Sequence, residues 1–295
     1  MPLSLLLPSP LEYLADDRLR AAEVEVWLKR DDLIHPEVTG NKWRKLKYNL
    51  AAAEVAGQRT LLTFGGAYSN HIRATAAAGC CFGFSTIGVI RGEEHRPLNP
   101  SLTFAVERGM NLCYLNRTDY RRKTETDVID GLRRRFGSFY LLPEGGSNEL
   151  AVRGCTEIVD EISAGFDVIC CPCGTGATLA GIAARLGPGP GPAPGQRAIG
   201  FSVLKGGSFL SRDIADLQQR TFGRRTSNWR VETGFHFGGY ARRNAELDDF
   251  IDDFSRRHGM VLDWVYTAKM MYGIFALARE NAFQPGTRVV ALITG

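Results

Sequence analysis

The sequence predicts an α/β protein built on parallel sheets with helices on both faces, and three observations predict it. Short runs that are apolar almost throughout recur along the chain, as strands buried on both faces require. Segments with helical periodicity lie between these runs in close alternation, the pattern of β-α-β units. Glycine-marked turns follow several of the runs, at points where a strand would hand over to a helix.

Taken in chain order, strands are expected at residues 24–28, 60–64, 85–90, 111–115, 167–171, 198–203 and 288–293, each a short run rich in apolar side chains. Helices are expected at 42–56, 70–78, 99–108, 148–164, 177–186, 207–219, 244–257 and 268–280. The Gly/Pro run at 187–195 suits neither a helix nor a central strand, so it reads as an exposed connection to the strand that follows. No internal repeat is present. The expected architecture is two α/β domains of three-layer, open-sheet design. Residues 1–44 plus 150–295 make the larger one, which would bind a cofactor, and 45–149 a smaller, mobile one.

A chain of 295 residues can bury cores of that size, and 44% hydrophobic with 23% charged residues is ordinary for a globular protein. The net charge of +4 is too small to imply a nucleic-acid partner. The basic runs Arg121-Arg122-Lys123 and Arg133-Arg134-Arg135 lack interleaved aromatics or a reading motif and are read as solvated helix faces. Seven cysteines show no disulfide spacing, and Cys170, Cys171 and Cys173 read as small hydrophobes in a buried strand. A metal site would need a second ligand pair, and none is evident. The apolar start is too short for a secretory signal and lacks a basic leader, and no run of about 18 apolar residues could span a membrane. A cytoplasmic location is the resulting expectation.

Three turns concentrate residues capable of chemistry, at the strand ends where such sheets bind ligands. The first is Thr39-Gly-Asn-Lys-Trp-Arg-Lys45. Three of only seven lysines, Lys42, Lys45 and Lys47, fall within six residues at the start of a helix, where the dipole disfavours a cation. A basic surface face is one reading; an amine with a depressed pKa beside a phosphate site is the other. The second is Phe64-Gly-Gly-Ala-Tyr-Ser-Asn-His71, where free backbone N–H groups could hold a carboxylate, or where Ser69 or Asn70 simply caps a helix. The third, Cys173-Gly-Thr-Gly-Ala-Thr178, reads as an anion cradle with Thr175 and Thr178 as hydroxyl donors. It has neither the Gly-Lys-Ser/Thr ending of a nucleotide loop nor dinucleotide-binding spacing.

The set Gly40-Asn-Lys-x-Arg-Lys45, Ser69-Asn-His71, Gly174-Thr-Gly-Ala-Thr178 and Val265-Tyr-Thr267 resembles the D-cysteine desulfhydrase and 1-aminocyclopropane-1-carboxylate deaminase family. These are tryptophan-synthase-β-like pyridoxal-phosphate enzymes of fold type II, and the resemblance runs in order along nearly the whole chain. It implies that Lys42 carries pyridoxal 5'-phosphate through its amine and moves protons at the substrate Cα. Lys45 and the loop Gly174, Thr175, Gly176, Ala177 and Thr178 would bind the cofactor phosphate. Asn70 would meet the phenolic oxygen, and Ser69 with Asn70 and His71 the substrate carboxylate. Tyr240 would stack on the ring, Tyr266 would act beside Cα, and Thr267 and Thr294 would face the pyridine nitrogen. A homodimer is implied as well.

Departures from the family bear on the substrate. The deaminases resembled carry Glu where Thr267 follows Tyr266, and a neutral hydroxyl at the pyridine nitrogen would make a weaker electron sink. Tyr68 stands where relatives commonly carry Gln, beside the expected carboxylate site, and the chain ends at Gly295 without the usual longer tail. The expected activity is β-elimination from D-cysteine or a β-substituted alanine, giving pyruvate, ammonia and sulfide. A ring-opening deaminase and a catalytically silent binding protein are the alternatives.

Overall fold

The computed structural model describes residues 4–38, 40–186 and 195–294, so Thr39 and most of the Gly/Pro connection at 187–195 lie outside the described residues. The chain begins with β1 (Leu11–Tyr13), α1 (Asp17–Ala21), β2 (Glu25–Arg30) and α2 (Asn41–Val55). Next come β3 (Thr60–Gly65), α3 (Asn70–Phe82), β4 (Ser85–Arg91), α4 (Pro100–Glu107) and β5 (Met110–Leu115). Helices α5 (Arg117–Arg121) and α6 (Thr126–Phe136) lead to β6 (Tyr140–Leu142), α7 (Glu149–Asp160), β7 (Val168–Cys173) and α8 (Ala177–Arg185). The last part is β8 (Arg197–Ser202), α9 (Leu210–Phe222), β9 (Trp229–Glu232), α10 (Ala245–His258), α11 (Thr267–Arg279) and β10 (Arg288–Ile293).

These strands form two sheets. One has six strands in the order β1-β2-β10-β7-β8-β9, the other four in the order β5-β4-β3-β6. The smaller sheet is parallel throughout. In the larger, β1 pairs antiparallel with β2, which departs from the all-parallel expectation at one edge. A three-residue strand there buries little, so nothing in its pattern announces it.

Both sheets are covered on two faces, which explains the apolar strands. In β3, Leu61 joins Leu46 and Leu50 of α2 and Ala77 of α3 in one core. Its neighbour Leu62 points the other way, to Ile129 and Leu132 of α6 and Ile87 of β4. In the larger sheet Val289 and Ala291 of β10 face α10 and α11, while Val290 and Leu292 face α7, α8 and α9. The basic run at 133–135 closes α6 beside its C-terminal carbonyls, and Arg133 pairs with Asp130, as a solvated helix end should. Among the described residues no helix is long and apolar enough to cross a membrane, and no cluster of metal-ligating side chains occurs.

Candidate active site

A cleft of about 330 Å³ opens where the carboxyl ends of strands from both sheets converge. Its walls come from the turns after β3, β6 and β7, the first turn of α2, the residue after β10, and the loops carrying Tyr240 and Tyr266. This is the position that a parallel sheet's topology favours for a ligand.

The start of α2 sets the chemistry. Gly40 is its N-cap with φ +61 and ψ −146, and a Cβ there would lie 1.5 Å from the Thr294 carbonyl oxygen. Only glycine lets the helix begin against the end of β10, so Lys42, Lys45 and Thr294 reach one cleft. Neither Lys42 nor Lys45 has an acid partner among the described residues, and both amines are held below the ordinary lysine range. Burial is the main cause; for Lys42, which is pushed down strongly, the neighbouring Lys45 adds to it. The N-terminal end of the helix dipole acts in the same sense. A lysine amine depressed in this way gives up its proton more readily, which suits it to act as a nucleophile and a proton acceptor.

After β3 the chain turns through Gly65 and Gly66 to Ser69, the N-cap of α3, whose hydroxyl accepts from the Ile72 N–H at 3.3 Å. The hydroxyl proton remains available to a ligand. Ser69, Asn70 and His71 all line the cleft. His71 is 1% exposed, and neither ring nitrogen has a hydrogen-bond partner among the described residues. Burial, with Lys42 and Lys45 adding to it, holds the imidazole well below its usual pKa and therefore neutral. A buried neutral imidazole without partners leaves a donor and an acceptor for whatever occupies the cleft.

After β7, Gly174, Thr175, Gly176 and Thr178 contribute wall. Gly176 caps α8 with φ +82, and a Cβ there would meet Ile214 at 2.5 Å, so the turn stays open and its backbone N–H groups are approachable. Thr178 accepts from the Asn41 side chain at 2.9 Å, which ties this helix to the start of α2. The Ser147 hydroxyl donates to the Thr175 hydroxyl at 2.5 Å. Ala177 is buried at the first position of α8 and does not line the cleft.

Two tyrosines close the cleft. Tyr240 and Tyr266 stand edge to face, ring centroids 6.0 Å apart. Burial, then the Tyr240 hydroxyl, pushes the Tyr266 phenol well above its ordinary range. Tyr266 caps α11 beside Asp263, whose carboxylate accepts from the Tyr266 N–H at 2.7 Å. The turn carrying Tyr240 is unusual: Phe237 and Ala241, neither a glycine, both take φ of 49. The fully buried Lys269 holds it, donating to the carbonyls of His236 at 2.9 Å and Gly239 at 2.8 Å.

Two further expected residues do not reach the cleft. Thr267 is 1% exposed, and its hydroxyl donates to the Asp263 carbonyl at 3.2 Å. Tyr68 is 50% exposed on a neighbouring hollow and takes part through its carbonyl, which accepts from the Tyr240 hydroxyl at 3.4 Å. Conversely, Asn41, Arg91, Glu144 and Asp213 line the cleft without having been singled out in the sequence. Pro143-Glu-Gly-Gly146 has the glycine signature of the other turns and could have been found by it.

The chain matches the pyridoxal-phosphate dependent enzyme family over residues 4–295. A protein of Thermotoga maritima, assigned provisionally as a 1-aminocyclopropane-1-carboxylate deaminase, is 30% identical over 94% of this chain and 91% of its own. The mitochondrial bifunctional D-cysteine desulfhydrase/1-aminocyclopropane-1-carboxylate deaminase of Arabidopsis thaliana is 29% identical over 92% of this chain and 72% of its own. A crystal structure of a 1-aminocyclopropane-1-carboxylate deaminase homologue superposes with a TM-score of 0.84 at 27% identity, covering 99% of this chain and 90% of that one. The cleft fits such a cofactor. Two unpaired amines and the N-termini of α2, α3 and α8 suit a phosphate dianion. The unpartnered imidazole and open glycine turns leave polar contacts for a ring. By its match along the whole described length and by the fit of its cleft, the chain belongs to the pyridoxal-phosphate-dependent enzyme family.

Proposed function

We propose that this enzyme eliminates the β-substituent of a small amino acid, D-cysteine or another β-substituted alanine, to give pyruvate and ammonia, with sulfide from cysteine. The observation that carries the reading is the unpaired, depressed amine of Lys42 in one cleft with the Ser69 hydroxyl and the Tyr266 phenol. Lys42 would hold the cofactor. Lys45, Thr178 and the backbone of the 174–177 turn would hold its phosphate, Asn70 its phenolic oxygen, and Tyr240 one face of its ring. Thr294 lines the cleft and Thr267 does not, which favours Thr294 as the threonine that would face the pyridine nitrogen.

Once bound, the cofactor supplies an electron sink next to Cα. Ser69, with the backbone of Asn70 and His71 at the start of α3, would orient the carboxylate so that the Cα–H bond faces Lys42. The Lys42 amine would accept the Cα proton, and Tyr266 would stand beside the same carbon as a proton carrier. The Cβ–substituent bond breaks with its electron pair leaving on the substituent. The aminoacrylate released hydrolyses to pyruvate and ammonia.

The name of the Arabidopsis relative carries both activities, and the provisional name of the Thermotoga relative favours the ring-opening deaminase as the second reading. Elimination is preferred because Thr267 stands where the deaminases resembled carry Glu, and its hydroxyl is turned to Asp263. Steady-state assays on D-cysteine, β-chloro-D-alanine and 1-aminocyclopropane-1-carboxylate decide it. Elimination predicts faster 2-oxo acid release from the first two, and faster turnover of the cyclopropane substrate would reject it. No turnover of any amino acid, together with no visible cofactor absorption, would indicate a silent binding protein.

The reading extends to architecture. The strands of the four-stranded sheet come from 60–142, which supports a smaller unit at 45–149 closing over substrate against 1–44 plus 150–295. The seven cysteines are all free, which suits a cytoplasmic location. A homodimer completes the proposal, and sedimentation analysis tests it.

A further inference from the structure

We infer that Arg91 selects amino acids whose side chain ends in a negative charge, so that the class of substrate is an alanine with an anionic β-substituent. The inference rests on the reading that the cleft holds an amino acid. Arg91 is the last residue of β4, and β4 lies parallel to β3 with Ile90 in register with Gly65. The strand ends beside the Gly65–Gly66 turn that leads to Ser69. The guanidinium overhangs that turn: a Cβ on Gly66 would lie 3.7 Å from Arg91 Nη2. It also lines the cleft and stands 6.0 Å from the centre of the Tyr120 ring.

Among the described residues Arg91 has no ion-pair partner, while Glu144, which also lines the cleft, is engaged by others. The Tyr120 hydroxyl donates to Glu144 at 2.9 Å, and the Lys123 ammonium lies 3.1 Å from it. Asp213, the other acid of the lining, pairs with Arg212 at 3.6 Å. Lys42 and Lys45 stand at the start of α2, where the cofactor and its phosphate are proposed to bind. The cation left over is Arg91, exposed at the mouth, and a guanidinium presents a fork that matches carboxylate, sulfonate and phosphate oxygens. The substrate carboxylate has its own place at Ser69 and the start of α3. Arg91 therefore meets a second anionic group, the one on Cβ. In elimination that group departs with the electron pair of the Cβ bond, and a fixed cation beside it lowers the cost of the charge it gains.

The test uses the holoenzyme and a pair of ligands alike in shape. Aspartate and asparagine, in both enantiomers, are titrated into wild type and Arg91→Gln, with binding followed by the visible absorption of the cofactor. Alanine serves as the reference for carboxylate and amine recognition. Wild type should bind one enantiomer of aspartate about tenfold or more tighter than the matching asparagine, and Arg91→Gln should bring that ratio close to one. Alanine binding should stay within about threefold. A wild-type ratio near one overturns the inference, and so does an equal loss for alanine and aspartate, which would place Arg91 on the substrate carboxylate. Turnover of O-phosphoserine in both enantiomers, whose substituent is anionic and also a good leaving group, is measured beside these. Its absence with the aspartate preference intact would sink the elimination reading and leave the selection by Arg91 standing.

Discussion

Arg44→Met probes the buried charge cluster that anchors the helix carrying Lys42. Arg44 is 1% exposed and donates to both oxygens of Asp31, at 2.6 and 2.7 Å, and to both oxygens of Glu161, at 2.8 Å each. Lys29 donates to Glu161 at 2.9 Å and to the Ser9 carbonyl at 2.6 Å, and the Ser9 hydroxyl donates to Asp31 at 2.7 Å. Methionine keeps much of the volume and leaves the wholly buried Asp31 carboxylate, among the described residues, with only the Ser9 hydroxyl for a partner. Breaking a buried pair in this way costs about 3–5 kcal/mol. The Glu161 carboxyl should make that cost pH-dependent. Burial would raise it, but Arg44 and Lys29 hold it down from 4.5 to about 2, so its ionised form stabilises the fold. Because the folded value is depressed, that stability is present above the unfolded pKa and is lost as the pH falls through 4.5 towards 2. Urea unfolding of both proteins at pH 7 should show a gap of about 3–5 kcal/mol that narrows as the pH drops below about 4.5. Cofactor retention should also fall, because Lys42 lies in the same turn of α2. A gap below about 1 kcal/mol at neutral pH, or one of constant size down to acid, would refute the reasoning.

Other substitutions address single parts of the site. Lys269→Met removes the ammonium that binds the carbonyls of His236 and Gly239, so the turn carrying Tyr240 should loosen. Trypsin should then cut faster at the exposed Arg242 and Arg243, and kcat should drop more than cofactor affinity; an unchanged cleavage rate would end the clamp assignment. Thr178→Val keeps volume but deletes a hydroxyl at the start of α8, and cofactor affinity should weaken by about 1.5–3 kcal/mol. A rise in KM with unchanged cofactor retention would instead put the substrate at this turn.

How much of this was legible in the sequence depends on what each segment buries. Strands packed on both faces, such as β3, β4, β7 and β10, are continuous apolar runs and stand out. The strands that did not stand out, β1, β6 and β9, have three or four residues and are only partly buried, so neither length nor periodicity marks them. Missing β6 hid the turn after it, and with it Glu144. The turns at 65–71 and 174–178 were legible because small, capping residues directly follow long strands. Thr267 shows the limit of adjacency. It follows Tyr266 directly, but Tyr266 is the cap of α11 and Thr267 its first residue, and successive helical positions turn by about 100°. The neighbour of a cleft residue therefore faces the interior. Arg91 gave no signal of its own, since the role proposed for it rests on its having no acid partner among the described residues, which only tertiary structure reveals.

The most direct test of the account is the identity of the lysine that carries the cofactor. Holoenzyme reduced with borohydride is digested, and the pyridoxyl-bearing peptide is located by mass spectrometry, in wild type and in Lys42→Ala. The account predicts the label on Lys42 in wild type and no fixed label in the variant. A label on Lys45, Lys205 or Lys269, or one that persists after Lys42→Ala, would contradict it.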